Sequence, residues 1–340
     1  MYSNIDTIRL SLLTMIDFSR FNSLFALTTY FDTEAKCKKA IAESRWEKGD
    51  VVCPFCGEHH CTSRTDGRYH CAHCKANFSV LVGTIFENTK ISLTKWFMAM
   101  YLISTHKKGI SSVQLATDIA VTQKTAWFIL HKVRTLYAQH NVIGLYGHVE
   151  CDEMYLGGRE TNKHESKKTA KTQGRSTKVK QPIFGMAMVW KDETVDYETG
   201  EVKEKTHTLV NVRKVADARA CTLIPIIEKY VTEGSLIITD ELSAYNSIDT
   251  TKYTHSIVRH GAKEYVVGGN STNGIEGFWG HFKRMVFGTY HFVTKKYLQR
   301  YIDESVYRFN TKELTASDRF EDMFTAAIGK VQYKDVKIAA

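Results

Sequence analysis

Hydrophobic and polar positions follow two rhythms along this chain. Up to about residue 140 apolar residues recur mostly at three- and four-residue intervals, the period of a helix with one buried face. Residues 1–48 read as helical, with the aromatic-rich stretch FSRFNSLFALTTYF followed by TEAKCKKAIAESRW. In 84–138, SLTKWFMAMYLIS starts from a Ser92 cap. A short helix capped by Ser111 or Ser112 then runs through Ala120, and after the turn VTQ a longer helix capped by Thr122 runs through Tyr137, with Trp127, Leu130 and Val133 expected in its core. From Gly147 the rhythm shortens. HVECDEMYLGG, PIFGMAMVW (182–190) and THTLVNVRKV (206–215) read as three strands, with a hairpin loop at DYETGE. ARACTLIPIIEKYV (218–231) is an amphipathic helix, SLIITDELSAY a buried strand ending at Asp240, HSIVRH a further short strand, and NGIEGFWGHFKRMVFG (273–288) and YLQRYIDESVYRFN (297–310) helices. A last short helix is expected near 316–327.

The chain divides on this reading into an N-terminal helical segment (1–48), a cysteine-bearing ribbon (49–83), a helical region (84–140), an α/β domain (145–312) and a helical tail (313–340). Its 340 residues suffice for several cores, and a hydrophobic fraction of 43% excludes a disordered chain. The net charge of +9 favours a polyanionic partner. No N-terminal signal pattern and no apolar run near 20 residues is present, so a cytoplasmic protein, nucleoid-associated when bound to DNA, is expected.

Chemistry enters with the cysteines. Cys53 and Cys56 in CPFCG and Cys71 and Cys74 in CAHCK form two CxxC knuckles with 14 residues between them. Each knuckle turns two sulfurs toward one point, and four thiolates close a structural Zn²⁺ site with no open position. Tyr69 and Phe78 would fill the small core beside it, and Cys61 stands outside the set. Short helix, turn, longer helix is the helix-turn-helix layout, whose second helix enters the major groove. Gln123, Lys124 and Thr125 at its start, with Lys132 and Arg134 further along, are the candidate DNA contacts there. A lysine-rich stretch supplies more candidates for backbone phosphates in Lys167, Lys168, Lys171, Arg175, Lys178 and Lys180.

The acids are the other signal. Asp152 and Asp240 each end an apolar strand, and Glu276 and Lys283 lie seven residues apart, nearly two turns, on one helix face beside Gly277 and Gly280. Strand alternation puts Glu150 and Asp152 on one side of their strand and Glu153 on the other. Three strands, a helix, a strand and a helix is the order of a ribonuclease H-like fold. In it Asp152, Asp240 and Glu276 could meet only through folding. Hard oxygen ligands select Mg²⁺ or Mn²⁺, and two such ions about 4 Å apart promote in-line displacement at phosphorus. Lys283, with Arg284 beside it, would face a phosphate.

CPFCG…CAHCK, GTIFENTKISLTKWFMAMYL, VECDEMYLGGR, IITDELSAY, NGIEGFWGHFKR and YLQRYIDESVYRFN, in that order from about Trp46 to Asn310, resemble the transposases of the IS1595 insertion-sequence family, ISXO2-like members of the DDE superfamily. The resemblance implies a catalytic Asp-Asp-Glu set followed by a lysine, on Asp152, Asp240, Glu276 and Lys283. Some relatives use asparagine as the third ligand, for which Asn273 is the alternative position. A histidine often precedes the TN of this motif. Asn270 and Ser271 stand there, which moves any such role to His255 or His260. The expected function is a DNA transposase. It would bind the terminal inverted repeats of its element, cleave the ends and join the 3′-hydroxyls to target DNA, working as a dimer or larger assembly. The alternatives are a non-enzymatic DNA-binding regulator on a silent transposase scaffold, and a ribonuclease H-like nuclease without strand transfer.

Overall fold

The computed structural model describes residues 16–46, 49–141, 144–157, 164–168, 179–195, 202–258 and 272–329. The chain forms two compact units, one of residues 1–136 with 314–340 and one of residues 137–313.

The first unit is helical with a small ribbon. Its elements are α1 (Leu24–Tyr30), α2 (Glu34–Arg45), β1 (Cys61–Ser63), β2 (Tyr69–Cys71), β3 (Asn77–Phe78), α3 (Leu93–Thr105), α4 (Ser112–Asp118), α5 (Gln123–Leu136) and, from the far end of the chain, α9 (Ala316–Ile328). Side-chain oxygens fix the helix starts. Ser92 accepts from Lys95 N, Ser111 from Gln114 N and Thr122 from Thr125 N, so the cap of α4 is Ser111 rather than Ser112. The short helix stops at Asp118, and Ala120 adopts φ +49° in the turn before α5. The buried face of α5 includes Ala126, Ile129, Val133 and Leu136, a three-four-three pattern, with Leu130 beside it, while Trp127 is 36% exposed. The expected core triplet at strict three-residue steps drifts about 60° per step around a helix and leaves the core on one side. The tail set apart in the sequence folds back. Phe320 and Phe324 of α9 stack on Phe18, Phe97 and Tyr101 at centroid distances of 5.3–5.9 Å. Thr315 and Asp318 close a reciprocal capping box at its start.

The second unit is a mixed sheet covered on both faces. Its strands are β4 (His148–Leu156), β5 (Gln181–Val195), β6 (Val202–Lys214), β7 (Leu236–Thr239) and β8 (Thr254–Ile257). Its helices are α6 (Ala220–Tyr230), α7 (Asn273–Met285) and α8 (Leu298–Asn310). The order across the sheet is β6-β5-β4-β7-β8, with β4, β5 and β6 antiparallel and β4, β7 and β8 parallel. The hairpin between β5 and β6 pairs Val195 with Val202, and its expected loop lies outside the described residues. Alternation along β4 sorts its side chains. Val149 and Cys151 join Leu223 and Ile227 of α6 and Tyr245 in one core, whereas Met154 joins Ile275, Phe278 and Trp279 of α7 and Val306 of α8 in the other. Inside the α8 core layer Arg308 and Glu304 form a fully buried ion pair at 2.7 Å, to which the Tyr290 hydroxyl adds a hydrogen bond at 2.8 Å. Among the described residues no helix is long and apolar enough to cross a membrane.

Candidate functional site

Two clusters of metal-ligating side chains stand out among the described residues. In the first unit the sulfurs of Cys53, Cys56, Cys71 and Cys74 all lie within 4.8 Å of one another, with Cys53–Cys74 and Cys56–Cys71 at 3.6 Å. Thiolates about 2.3 Å from a central Zn²⁺ stand roughly 3.8 Å apart at the corners of a tetrahedron, so the set has the dimensions of a closed four-cysteine site. Both knuckles are built alike. Gly57 N donates to Cys53 O and Lys75 N to Cys71 O, and the two turn residues take φ +80° and +59°. Backbone N–H groups of Cys74 and His73 turned toward Cys71 hold its thiol down to about 6, whereas the thiols of Cys56 and Cys74 beside it are raised. Tyr69 and Phe78 stack at 5.7 Å beside the cluster, with Trp46 against Tyr69, and Cys61 bonds to Glu58 O outside it.

The second cluster forms where two parallel strands part. The β4–β7 pairing ends at Cys151↔Thr239, so Asp152 and Asp240 are the next residues on neighbouring strands. Ligand crevices in open α/β sheets form at such carboxyl ends. Asp240 is fixed by its own turn, accepting from Leu242 N at 2.9 Å. Asp152 accepts from the indole Nε1 of Trp279 at 2.9 Å. That approach depends on a glycine. Gly185 lies opposite Asp152 across the β4–β5 ladder, and a Cβ there would meet Ile275 Cδ1 and Trp279 Cζ2 at 2.7 Å. Burial pushes the Asp152 carboxyl up, the Trp279 hydrogen bond opposes this, and the charges of Asp240 and Glu276 add to the rise.

Glu153 is the third member of the cluster. Its carboxylate comes within 4.8 Å of the ligand atoms of Asp152 and Asp240, although alternation starts it from the opposite side of β4. The longer side chain is held by the Tyr245 hydroxyl, which follows β7 in a short 3-10 turn. Alternation places only Cβ atoms, and past Cys151, where β4 is no longer paired with β7, the longer glutamate side chain comes within reach of the two aspartates. Glu276 lies one turn into α7, exposed, with an Oε1 that accepts from the Thr272 hydroxyl at 3.1 Å. It is near enough to raise Asp152 but stands outside the tight trio. Lys283 and Arg284 are exposed near the end of α7, and the Arg284 guanidinium lies over Gly280.

Glu150 was also missed. It is buried two residues before Asp152 on the same face, and its Oε2 accepts from Ile275 N at 2.9 Å, at the N-terminus of the helix that carries Glu276. Burial drives its carboxyl up to about 7, against the pull of the Ile275 and Gly274 N–H groups. An acid two positions before Asp152, on the same face of an apolar strand, was the available signal. Asn273, the alternative third ligand, is the exposed first residue of α7. His255 bonds Thr239 Oγ1 at 2.9 Å and is half-buried, while His260 lies outside the described residues.

The expected DNA contacts separate. Lys124 is exposed at the start of α5, where Gln123 reaches Ser112 Oγ at 2.7 Å and Thr125 reaches Thr122 Oγ1 at 2.9 Å. Lys132 and Arg134 are corrected. Lys132 is buried and donates to Ile85 O at 2.7 Å, and Arg134 is 1% exposed. Residues 131–134 of α5 are all buried, so these two side chains are covered although they leave the helix on nearly opposite faces, and they cannot reach a phosphate. Lys168 is exposed and paired with Glu165 at 2.6 Å, and Lys180 is half-buried. The side chain of Lys167, and all of Lys171, Arg175 and Lys178, lie outside the described residues.

Comparison with known proteins shows the family. Residues 144–310 match the family model of the ISXO2-like transposase domain, and residues 32–77 match that of the transposase zinc-ribbon domain. An uncharacterized protein in transposable element ISH50 of Halobacterium salinarum is 31% identical over 261 residues, covering 72% of this chain and 81% of the relative. No solved structure matches.

Proposed function

Since the chain belongs to the IS1595 family of transposases, with a four-cysteine zinc ribbon ahead of the catalytic module, we propose that it cuts the ends of its insertion sequence and joins them to target DNA. The observation that carries this reading is the convergence of Asp152 and Asp240 at the parted ends of β4 and β7, with Glu276 close enough to bias Asp152. The strand order and the helices on both faces support a ribonuclease H-like module, and α4 and α5 a helix-turn-helix reader of the terminal inverted repeats.

The trio fits hard divalent cations. Carboxylate oxygens crowded within 4.8 Å repel one another, and cations relieve that repulsion. Asp152 and Asp240 would hold Mg²⁺ or Mn²⁺, with Glu276 joining from α7 and Glu153 from the far side of the strand. Bound there, the cations supply charge stabilisation to an in-line displacement at phosphorus. In the first step a water oxygen bonds to the phosphorus at the element end, the P–O3′ bond breaks, and the leaving 3′-oxygen takes up a proton as the water gives one. In the second step that 3′-hydroxyl replaces water, and a 3′-oxygen of target DNA leaves. Both are the same substitution, so one carboxylate set serves both. Asp152 is kept in aim by the Trp279 N–H and Asp240 by its backbone turn. Lys283 and Arg284 would hold a phosphate further along the strand. Two ends must be held together, so the working form is a dimer or larger assembly on DNA.

The test uses a labelled duplex with the element's own terminal repeat in Mg²⁺ or Mn²⁺. Wild type should nick at the repeat boundary and join the end to a second duplex, and Asp240→Ala should bind but do neither. Equal binding with no cutting by either protein would leave a DNA-binding regulator. Cutting without joining of a pre-cut end would leave a nuclease.

A further inference from the structure

The outer face of α7 carries a sequence of surfaces that the cleavage chemistry does not use in full. Glu276, Gly280, Lys283 and Phe287 are spaced four, three and four residues apart, so they stack on one side of the helix and its continuation. The opposite side, with Ile275, Phe278, Trp279, Phe282, Met285 and Val286, is buried. Phe287, a large apolar ring, lies on the outer side and is 56% exposed. The backbone around it is irregular. A π-helical turn spans Val286–Tyr290, His291 takes φ +59°, and the His291 ring bonds Phe287 O at 3.1 Å. Just past that turn Phe292 is 72% exposed, and Lys295 and Lys296 are exposed as well. Two large rings thus stand in water, with exposed Lys283 and Arg284 before them in the chain and exposed Lys295 and Lys296 after them.

An exposed ring flanked by cations suits a strand with a charged backbone and flat bases, because ammonium and guanidinium groups take the phosphates and the ring stacks on any base. The direction fits too. At about 1.5 Å per residue, Phe287 lies about 16 Å along the helix from Glu276, roughly five base steps of a duplex at 3.4 Å each. We propose that Phe287, supported by Lys283 and Arg284, is a stacking seat for a base of the DNA strand within about five nucleotides of the phosphate held at the carboxylate site. A base seated there is taken out of its own stack, which holds the end open and in register with the cleavage site. This rests on the reading of that site as a DNA-cutting centre.

The experiment uses the full chain and a pre-cut duplex of the element's own terminal repeat in Ca²⁺, with 2-aminopurine placed singly at each of the five nucleotides on either side of the cut. Wild type should change the fluorescence at one position strongly and at its neighbours little. Phe287→Ala should abolish that change and weaken end binding about tenfold. Phe287→Trp should preserve it, and because the side chain is exposed both variants should melt with wild type. No position-specific change in wild type, or a change that persists in Phe287→Ala, overturns the proposal. A change that persists while Phe287→Ala shifts the sedimentation of the DNA-free chain makes the ring a protein–protein contact instead, and overturns it too. Failure of the functional reading shows separately, as a wild type that neither cuts nor joins the uncut duplex in Mn²⁺. The pre-cut duplex needs no cutting to report on the seat.

Discussion

Replacing Gly185 by alanine adds one methyl group on the strand opposite Asp152, and the structure gives its consequences. The new Cβ would lie 2.7 Å from Trp279 Cζ2 and 2.8 Å from Cη2, and 2.7 Å from Ile275 Cδ1. Carbon contacts settle near 3.5–4.0 Å, so something must move by about 0.8 Å or more. Ile275 can turn its terminal methyl. The indole is a rigid plate packed among Phe278 and the α7 core, and it moves as a whole. Its Nε1 now donates to Asp152 at 2.9 Å, and a shift of that size takes the pair to the edge of hydrogen-bonding distance. Overpacking of this kind costs about 1–3 kcal/mol. At ~2 kcal/mol the melting midpoint of a unit this size falls by about 4–8 °C. A second effect separates positioning from stability. The Trp279 hydrogen bond is the largest influence holding the Asp152 carboxyl down against burial, so losing it sends that carboxyl higher still. Cleavage that needs ionised Asp152 then loses activity at the acid end of its range, and that limb of the pH profile moves to higher pH. Trp279→Phe should show the same limb shift with a smaller loss of stability, because it keeps most of the ring and drops the donor. Calorimetry and a pH series of end cleavage in Mn²⁺ read the two effects. A Gly185→Ala protein with wild-type melting and a wild-type pH profile would refute the reasoning.

Two further expectations follow from buried or clustered ionisable groups. Folded Glu150 keeps its proton up to about 7, whereas the ordinary value is 4.5, so between these values the folded chain binds more protons than the unfolded one and stability falls as pH rises. The loss is on the order of 3 kcal/mol at about 1.4 kcal/mol per unit, and Glu150→Gln should flatten it in urea unfolding at pH 5 and pH 8, with equal slopes in both proteins speaking against the assignment. The four-cysteine cluster should release one Zn²⁺ per chain to a thiol-blocking reagent, and Cys71→Ser should lose the metal and the ribbon's resistance to proteolysis. Full zinc retention in that variant would place the metal elsewhere.

Much of this was legible from local signals. The two CxxC pairs, the Ser92 and Thr122 caps and the change of period near residue 145 are each written within a few residues, and each appears in the structure. Asp152 and Asp240 were legible as acids beside apolar runs, although β4 continues past Asp152 to Leu156 and their adjacency required the parallel register that only the folded sheet supplies. Lys132 and Arg134 were misread because a basic residue on an amphipathic helix looks exposed until the partner of its inward face is known. That partner includes the Ile85 carbonyl, 47 positions away. Trp127 was placed inside by a three-residue stride, where the true stripe alternates three and four. The return of α9 had no local signal at all, since Phe320 and Phe324 find their partners nearly the whole chain away. Glu150 and Glu153 were hidden by company, as two acids beside a third that was easier to explain.

Those two hidden acids bear on how the site is assembled. A carboxylate site fed by one helix and two strands fails if the helix slides, because one residue of slip turns Glu276 by about 100°. Glu150 prevents that slip from the strand itself. It accepts from the first N–H groups of α7, and it does so two residues from Asp152 on one rigid β4. Gly274 leaves room for the grip, since a Cβ there would meet Glu150 Oε2 at 3.0 Å and Val189 Cγ2 at 2.7 Å. One turn further on, Trp279 bonds Asp152 and closes the frame. Strand and helix are thus joined twice, at Glu150 and at Asp152, and Glu276 lies between the two joints. Its backbone is fixed between them, and its side chain accepts from the Thr272 hydroxyl. Under the proposed DNA-cutting reading, that fixed backbone is what would keep Glu276 near Asp152 although its carboxylate stands outside the tight trio.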